Sequence, residues 1–504
     1  MGNQNFDVII VGRGPVGLFL ACELRLQGLS VLLVERRTQT GLDKMGETRA
    51  CVIHGRTLEI FENRGLIEKF EACGSRVDWW HYGVLESRLQ YSAFSNESKH
   101  NCTLFVPQYK TEDILLQRAQ ELGADIRLGV LVQSIEQSAT SIIIRGTSSS
   151  RETGPEGVPF TATGKYLVGT DGWRSSVRTM AGFGWDHYPA THTMLSAEVK
   201  LRKEMPNPSI VKNAKGILIS LKLKVPSGRY RMAVWTPSTS DTPTEMPLTL
   251  EEFSQAVEEV TGVDYEMYDP CVLSRFSNES GNVTNYRKQR IFLGGDAGHR
   301  HLPAGGQGMN LGIQEVTNLG WKLGAVIRGD MPESLLDTYE LERLPIARSV
   351  VDNTTAQSLL FFSSTHPENS LREAMNRLLK VPEANRSLAR QINGFSYSYP
   401  LPLSVIHPDG WATLPDEITG KRAPDVKLRL KIGHEKWLSE FLGHAKWVQL
   451  RFLPRVTGAP APPAFQGQTE VVDVEEILGG DRSMYEHTAE LLIRPDGHMG
   501  FGRS

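Results

Sequence analysis

The sequence predicts an α/β protein in which a parallel, helix-covered sheet is interrupted by a β-rich insertion. Residues 6–11 form an apolar strand that runs directly into a glycine-rich turn at 12–17 and then into a helical segment. Residues 290–293 form a second short buried strand, which stops at two glycines ahead of another long helical segment. Between the two, over residues 182–285, helical periodicity fades and β-rich segments appear. The chain therefore leaves the first domain and returns to it.

These features predict four segments along the chain. Residues 1–181 are the first part of a nucleotide-binding domain, and 182–285 are a β-rich substrate-binding domain. Residues 286–394 return to the nucleotide-binding domain and contain long helices. A proline-rich hinge near residues 399–402 and a change of composition set off a C-terminal domain over 395–504.

Composition indicates an ordinary intracellular protein. The formal charge of −3 gives no reason to expect nucleic acid or an anionic membrane as partner. No apolar run approaches the roughly 20 residues that cross a bilayer, and no secretory signal is recognised, so we expect a cytoplasmic location. None of the five cysteines forms a C-x-x-C pair, which favours reduced thiols over disulfides or a metal site.

The turn after the first strand has the pattern G-x-G-x-x-G at Gly12, Gly14 and Gly17. A second strand over 31–34 ends at Glu35, about 20 residues further on, where an acidic residue meets an adenosine ribose. Strand, glycines, helix and acid together predict a dinucleotide site; the alternative is a glycine-rich core turn. Glu35 would repel the 2′-phosphate of NADP, so the predicted ligand is FAD or NAD.

Asp296 follows the later strand, and Gly305, Gly306 and Gly308 open the long helical segment after it. A carboxylate suits a sugar or ribitol hydroxyl, and a helix N-terminus suits an anion or a ring that becomes anionic on reduction. The combination predicts a large, flat, redox-active cofactor along this segment. The alternative is a tight turn that caps a core helix.

Three further polar residues occupy suggestive places. Arg49 follows a polar segment and is a candidate diphosphate or ribityl contact, or else a surface arginine. Gln108 precedes a predicted helix over 112–122. Asp171 follows a strand over 166–169, where α/β sheets hold ligands, although it can equally be a helix cap.

The insertion is predicted to contain strands over 194–201, 216–224 and 229–236, the last two adjacent in one sheet. Such a sheet can roof a ligand cavity. Tyr230, Met232 and Trp235 can line that cavity, although aromatic residues at strand spacing more often belong to a core.

Long helical segments follow over 332–362 and 371–392. The C-terminal domain contains strand-like segments at 447–452, 470–474 and 491–493. Since it has no cysteine, it cannot perform dithiol chemistry, and the preferred role is structural or in oligomerisation, with a homodimer as the assembly considered.

Three motifs together resemble those of a known protein family. They are the glycine turn with Glu35, Thr170-Asp171-Gly172, and the run GDAGHRHLPAGGQGMN over 295–310. Their order and spacing resemble the single-component flavoprotein monooxygenases of the p-hydroxybenzoate hydroxylase fold. Nearly the whole chain, including RPDGH at 494–498, is similar to the aromatic polyketide and phenol hydroxylases. The resemblance implies a Rossmann-like FAD-binding domain, an inserted β-rich substrate domain and a C-terminal thioredoxin-like domain without C-x-x-C.

The resemblance also implies roles for individual residues. Positions that it assigns to non-covalent FAD binding are Gly12, Gly14, Pro15, Val16, Gly17, Glu35, Arg36, Arg49, Gln108, Asp171, Asp296, Pro303, Gly306, Gly308, Met309 and Asn310. Asp171 is expected to serve NAD(P)H as well. Arg13 departs from the family pattern, in which a small residue is usual. Arg300 and His301, near the expected flavin ring, are candidate contacts to substrate or nicotinamide, and no catalytic acid or base is assignable.

The implied activity is an FAD-dependent monooxygenase reaction. NADPH or NADH reduces FAD, and O₂ forms a flavin C4a-hydroperoxide that transfers one oxygen atom to a phenol or polycyclic aromatic, as in secondary metabolism. Epoxidation, Baeyer–Villiger oxidation, an FAD-dependent oxidase or dehydrogenase, and a cofactor-free binding protein remain alternatives.

Overall fold

A computed structural model gives the fold and describes residues 5–38, 50–150, 154–400, 411–431, 433–453, 467–486 and 488–503. The first part of the chain contains both strands and helices. The strands are β1 Asn5–Val11, β2 Val31–Glu35, β3 Val52–His54, β4 Ser75–Val77, β5 Trp79–Trp80, β6 Leu89–Gln90, β7 Thr103–Phe105, β8 Asp125–Leu128, β9 Val130–Gln137, β10 Ile142–Ser150 and β11 Gly154–Gly169. The helices are α1 Pro15–Leu26, α2 Gly55–Asn63, α3 Ile67–Cys73, α4 Gln108–Glu121 and α5 Ser176–Met180.

The inserted region and the return to the first sheet complete the body of the molecule. The strands of the insertion are β12 Trp185–Tyr188, β13 Thr193–Leu201, β14 Ser209–Asn213, β15 Gly216–Lys222, β16 Arg229–Trp235, β17 Met267–Ser277 and β18 Ser280–Val283, with helix α6 Leu250–Thr261. The return contains β19 Arg287–Lys288, β20 Ile291–Leu293, β21 His299–Arg300, α7 Gly308–Arg328, α8 Asp337–Phe361, α9 His366–Leu378 and α10 Pro382–Asn393.

The central sheet confirms the predicted α/β fold. Within the described part of the chain its strand order is β19-β20-β11-β1-β2-β8, with β10 and β9 extending from β11. β1 runs parallel to β2 and to β11, and β11 runs parallel to β20. Val11 therefore lies opposite both Val34 and Gly169, and Gly169 lies opposite Leu293. The carboxyl ends of four strands meet at one edge, where such sheets bind ligands.

The insertion contains an antiparallel sheet ordered β14-β15-β16-β13-β17. Ile217 pairs with Trp235, so the two predicted neighbours are adjacent strands. One face of the sheet is covered by α6. Its buried residues there include Tyr230, Met232 and Val234, which pack with Phe253 of that helix. Because side chains alternate along a strand, Trp235 points to the opposite face.

The returning helices differ from expectation at one point. Residues 371–392 read as one helical segment, but the structure has two helices, α9 and α10, separated by residues 379–381. Pro382 has no backbone N–H and a fixed φ, so it starts a helix more readily than it continues one. In the part of the chain that the structure describes, no helix is long and apolar enough to span a membrane.

The C-terminal region forms a separate mixed sheet. Its elements are β22 Ala412–Thr413, β23 Lys427–Leu430, β24 Glu435–Trp437, α11 Leu438–Phe441, β25 Trp447–Phe452, β26 Thr469–Gly479, β27 Glu490–Ile493 and β28 Met499–Arg503. The strands follow the order β22-β28-β27-β25-β26-β23-β24. All three strand segments expected from the sequence are present, whereas the thioredoxin-like classification stays a prediction.

A buried ionic cluster fastens this region to α7 and α8. Arg494 donates to both carboxylate oxygens of Glu342 at 3.0 and 2.8 Å, and to Asp496 at 2.7 Å. Lys322 donates to the same Glu342 at 2.8 Å, and the indole of Trp321 donates to Asp496 at 3.1 Å. Burial alone would raise the pKa of Glu342, but Arg494 and Lys322 hold it below its usual value. We call Lys322, Glu342, Arg494 and Asp496 the docking cluster.

Candidate functional site

The glycine turn after β1 is fixed to the neighbouring strand β11. The hydroxyl of Thr170 donates to the carbonyl oxygens of Val11 at 3.1 Å and Gly12 at 3.0 Å. A Cβ placed on Gly17 would lie 2.0 Å from the Gly12 carbonyl oxygen and 2.6 Å from the Thr170 hydroxyl. The turn and the start of α1 therefore pack too closely for any side chain at position 17.

The three glycines of the turn have different reasons to be glycine. Gly12 has φ +108°, and a Cβ there would lie 2.5 Å from the Thr170 carbonyl oxygen, so the fold itself requires it. Gly14 has an ordinary φ of −74°, and no described atom lies within 4 Å of a Cβ built on it. The protein therefore does not need a glycine at position 14. A glycine there leaves the backbone at the N-terminus of α1 open to close approach by a ligand.

Glu35 lies beside this turn, at the end of β2. Its Oε2 accepts from the backbone N–H of Arg13 at 2.9 Å and its Oε1 from that of Arg37 at 3.0 Å. The carboxylate is thus held next to the N-terminus of α1, where an adenosine ribose is expected. Arg36, the next residue, is exposed.

The loop after β20 packs directly onto the glycine turn. A Cβ on Gly312 would lie 2.6 Å from the side chain of Val16, and one on Gly295, whose φ is +61°, would lie 3.0 Å from it. Asp296 follows Gly295 and is exposed. Its Oδ1 lies 3.7 Å from the Cβ position of Gly308, the first residue of α7. Asp296 and the N-terminus of α7 therefore face the same space as the glycine turn.

A buried ion pair supports this loop from behind. Glu315 accepts from the Gly295 backbone N–H at 2.8 Å and from the Tyr286 hydroxyl at 2.7 Å, and lies 3.2 Å from His299. Burial would raise the pKa of Glu315, but His299 and Arg343 keep it low. Burial would lower the pKa of His299, but Glu315 raises it. The sequence analysis missed this pair, although a charged residue inside an apolar helical segment is a signal for one.

The segment of residues 303–310, here called the flavin loop, is clamped to β3 by Asn310. The Asn310 side chain accepts from the His54 backbone N–H at 2.8 Å and donates to the carbonyl oxygens of Val52 at 2.9 Å and Gly306 at 2.8 Å. The His54 ring donates to the Gly305 carbonyl oxygen at 2.6 Å. Because its side chain is used in this way, Asn310 can offer only backbone groups to a cofactor. Sequence reasoning did not find His54.

Removing the clamp is expected to weaken FAD binding. Asn310→Ala deletes three hydrogen bonds that fix the loop, each contributing about 1 kcal/mol, so FAD affinity falls by roughly 10- to 100-fold. Equilibrium dialysis of reconstituted apoprotein against FAD measures the change. Asn278→Ala, in the insertion, is the matched control and is expected to bind FAD as the wild type does. Wild-type affinity in Asn310→Ala would contradict the clamp.

His54 also makes stability depend on pH. Burial lowers its pKa from 6.5 to about 4. Between pH 4 and pH 6.5 the unfolded chain binds a proton at His54 that the folded protein does not. The contribution of neutral His54 to the free energy of unfolding is therefore complete above pH 6.5 and is lost as the pH falls towards 4. At pH 5 the loss is about 2 kcal/mol. Denaturant unfolding at pH 7.5 and pH 5 is expected to show a smaller pH difference, by about this amount, in His54→Gln than in wild type. An unchanged difference would show that His54 does not titrate this way.

Three other predicted FAD contacts are Gln108, Arg49 and Asp171. Gln108 starts α4, and its side chain accepts from the Ala50 backbone N–H and donates to Glu112, both at 2.9 Å. Arg49 lies outside the described residues. The Asp171 carboxylate accepts from the backbone N–H groups of Ser176 at 2.7 Å and Val177 at 3.1 Å. It therefore caps α5, the alternative that the sequence left open.

The side chains of Arg300 and His301 have different neighbours. Arg300 forms an ion pair with Glu279, and its guanidinium lies 3.9 Å from the centre of the Trp173 ring. His301 donates from Nδ1 to the Leu302 carbonyl oxygen at 2.7 Å, and its Nε2 lies 3.4 Å from the Cβ position of Gly308. Burial and the neighbouring His299 lower the pKa of His301 to about 4. Of the two, His301 is the one beside the flavin loop.

The face of the inserted sheet opposite α6 lies against the flavin loop. Trp235 belongs to this face, where buried apolar residues from both layers pack together; they are Val84, Met194, Ile217, Trp235, Leu302, Ala304, Phe361 and Phe362. We call this boundary the interlayer. Tyr230 and Met232 lie in the α6 core instead. The expectation that all three residues line one cavity is therefore wrong for these two, since alternation along β16 separates them from Trp235.

Comparison with known proteins agrees with this geometry. A family model described as FAD binding domain matches residues 5–354. The 12-dehydrotetracycline 5-monooxygenase/anhydrotetracycline 6-monooxygenase of Streptomyces rimosus is 36% identical over 506 residues, which cover 98% of this chain and 95% of the relative. Rifampicin monooxygenase of Streptomyces venezuelae is 33% identical, with 98% and 95% covered. The solved OxyS anhydrotetracycline hydroxylase from Streptomyces rimosus superposes with a TM-score of 0.84 at 36% identity, over 99% of this chain and 96% of that one.

Proposed function

Because this chain belongs to the FAD-binding-domain family of flavoprotein monooxygenases, we propose that it inserts one oxygen atom of O₂ into an aromatic or polycyclic substrate with NAD(P)H as electron donor. The observation that carries the proposal is the meeting of the glycine turn, Asp296 and the N-terminus of α7 at one edge of the central sheet.

The residues present fit FAD. Gly14 leaves room at the N-terminus of α1 for a diphosphate, and Glu35 is positioned for the adenosine ribose. Asp296 is exposed at the start of α7, where it can bind the ribityl chain or the diphosphate. Gly306 and Met309 are partly exposed residues, and their backbone groups are proposed to contact the edge of the ring. Asp171 is proposed to act indirectly, by holding the first residues of α5 with its carboxylate.

When bound, FAD supplies the redox chemistry that the side chains lack, since it accepts two electrons from NAD(P)H and activates O₂ once reduced. The chain's own contribution is electrostatic and steric. The positive end of α7 and the N–H groups of its first turn face the space beside Asp296, where they would stabilise negative charge. The balanced reaction is substrate–H + O₂ + NAD(P)H + H⁺ → substrate–OH + NAD(P)⁺ + H₂O.

The interlayer is proposed to exclude water from the reacting region. Its residues come both from the inserted sheet, through Met194, Ile217 and Trp235, and from the flavin side, through Leu302 and Ala304. Shielding of this kind favours oxygen transfer to the substrate over release of peroxide. No side chain is assigned as acid or base, because activation of a phenol can use a side chain, a backbone carbonyl or water.

The relatives and the apolar interlayer support a proposal for the substrate class. The relatives are named for tetracycline intermediates and for rifampicin, all large polycyclic molecules. We propose a polyketide-like phenol of secondary metabolism as substrate. Epoxidation and Baeyer–Villiger oxidation use the same cofactor site and are distinguished by the product; an oxidase or dehydrogenase is distinguished by the fate of O₂.

The test supplies the purified FAD-loaded protein with NADH or NADPH, ¹⁸O₂ and a panel of polycyclic phenols, with anhydrotetracycline as the first compound. The expected result is faster NAD(P)H oxidation with at least one phenol and a product heavier by one ¹⁸O atom. A protein that takes up no FAD overturns the proposal. So does stimulated oxidation across the panel that forms peroxide or dehydrogenated product without ¹⁸O incorporation.

A further inference from the structure

Polar nitrogen atoms of Trp235, in the interlayer, and of Trp80 and His81, beside it, are buried without a hydrogen-bond partner among the described residues. His81, Trp80 and Trp235 are 4%, 8% and 4% exposed. None of the described residues forms a hydrogen bond with His81 Nδ1, Trp80 Nε1 or Trp235 Nε1. A buried polar group without a partner costs about 1–3 kcal/mol, and such groups are rare in folded proteins. Several of them at one boundary indicate that a ligand with polar groups completes it.

Of these three residues, His81 contacts both Trp80 and an interlayer residue. Its ring stacks on Trp80 with 5.0 Å between centroids and meets the edge of Phe361, an interlayer residue, at 5.6 Å. Trp80 in turn meets the edge of His54 at 5.7 Å, and His54 holds the Gly305 carbonyl of the flavin loop. His81 therefore lies between the interlayer and the residues that fix the flavin loop.

The His81 ring is neutral. Burial lowers its pKa to about 3, with further lowering by Arg88 and His54. A neutral imidazole has one donor nitrogen and one acceptor nitrogen. A hydroxyl both donates and accepts, so it can bond Nδ1 in either tautomer, whereas a carboxylate can only accept. A buried neutral ring also provides no positive charge to offset the desolvation of a carboxylate.

Two cations close to the interlayer are bonded to backbone carbonyl oxygens. Lys212, whose ammonium lies 5.6 Å from the centre of the Trp235 ring, donates to the Ser363 carbonyl oxygen at 2.8 Å. Arg372 donates to the carbonyl oxygens of Gly83 at 2.8 Å and Leu360 at 2.7 Å. Their charge is thus directed to backbone carbonyls, which favours an uncharged substrate.

We propose that His81 orients the substrate through a hydrogen bond between its Nδ1 and a phenolic hydroxyl of a neutral aromatic molecule. This inference rests on the proposed function, because it assigns the substrate of that site. The bond fixes which ring position faces the flavin loop. It thereby limits NAD(P)H oxidation that yields no product.

Binding to the oxidised FAD-loaded protein tests the assignment without turnover. The probes are 2-naphthol, naphthalene, which lacks the hydroxyl, and 2-naphthoate, which carries a charge; each is titrated while the flavin absorbance is recorded. Wild type is expected to bind 2-naphthol at least about tenfold more tightly than naphthalene and to bind 2-naphthoate weakest. His81→Phe is expected to lose this preference, and His81→Asn, whose amide donates and accepts, to retain most of it.

His100→Phe is the matched control, because His100 is also buried but bonds Glu62 away from the interlayer. It is expected to keep the wild-type preference. The assignment is overturned if wild type does not prefer 2-naphthol over both other probes, or if His81→Phe keeps the preference. Failure of the proposed function has a separate signature, the loss of FAD uptake or of ¹⁸O incorporation, since the titrations require neither NAD(P)H nor O₂.

Discussion

Gly14→Val is expected to abolish FAD binding while leaving the fold intact. No described atom lies within 4 Å of a Cβ at this position, and the backbone there has a conformation open to any residue. The added side chain therefore fills only the space in front of the N-terminus of α1. If a diphosphate occupies that space, FAD affinity falls by at least about 100-fold, since the clash removes several backbone hydrogen bonds of the phosphate.

Gly12→Ala is the contrasting variant. Its positive φ and the 2.5 Å approach to the Thr170 carbonyl oxygen predict a loss of about 3 kcal/mol in the free energy of unfolding, before any ligand is considered. FAD fluorescence on titration and denaturant unfolding of both apoproteins separate the two effects. A Gly14→Val protein that purifies with stoichiometric FAD would refute the placement of the diphosphate.

Glu342→Ala is expected to destabilise the protein by about 3–5 kcal/mol, because it removes the anion shared by two buried cations. Lys322 and Arg494 both donate to Glu342 and are almost fully buried. Asp496 remains for Arg494, whereas the hydrogen-bond acceptor that Lys322 retains among the described residues is the side-chain oxygen of Asn318, at 2.8 Å. Denaturant unfolding measures the loss in the FAD-loaded protein.

Glu476→Ala is the control for that variant. Glu476 pairs with Arg429 on the surface, with the two side chains 57% and 41% exposed. Surface pairs contribute about 0–1 kcal/mol, so little change is expected. A loss in Glu342→Ala no larger than in Glu476→Ala would mean that the docking cluster contributes no net stability.

The meeting of the glycine turn, Asp171 and Asp296 at one edge of the sheet could be predicted from the sequence because these residues follow strands. Glycines, Thr170-Asp171 and Asp296 each come directly after an apolar strand, and parallel strands bring their carboxyl ends together. The supporting contacts could not be predicted. The Asn310 bond to His54 and the Glu315 pair with His299 join residues whose proximity is decided only by tertiary packing.

The inserted sheet shows a second limit of sequence reasoning. Alternation along β16 assigns Tyr230 and Met232 to one face and Trp235 to the other, but it does not reveal which face α6 covers. Helix ends were similarly uncertain. Residues 371–392 all favour helix locally, and Pro382 decides that two helices form.

Helix α7 connects the edge of the central sheet beside Asp296 to the C-terminal region. This helix has 21 residues and is therefore about 30 Å long. Its N-terminus lies beside Asp296, where we propose that FAD binds, and Trp321 and Ala325 in its second half contact the C-terminal region. Removing the last hundred or so residues would expose the apolar side chains of α7 that pack against Trp411, Trp447, Leu492 and Phe501, so the remaining part is not expected to be stable as an independent fragment.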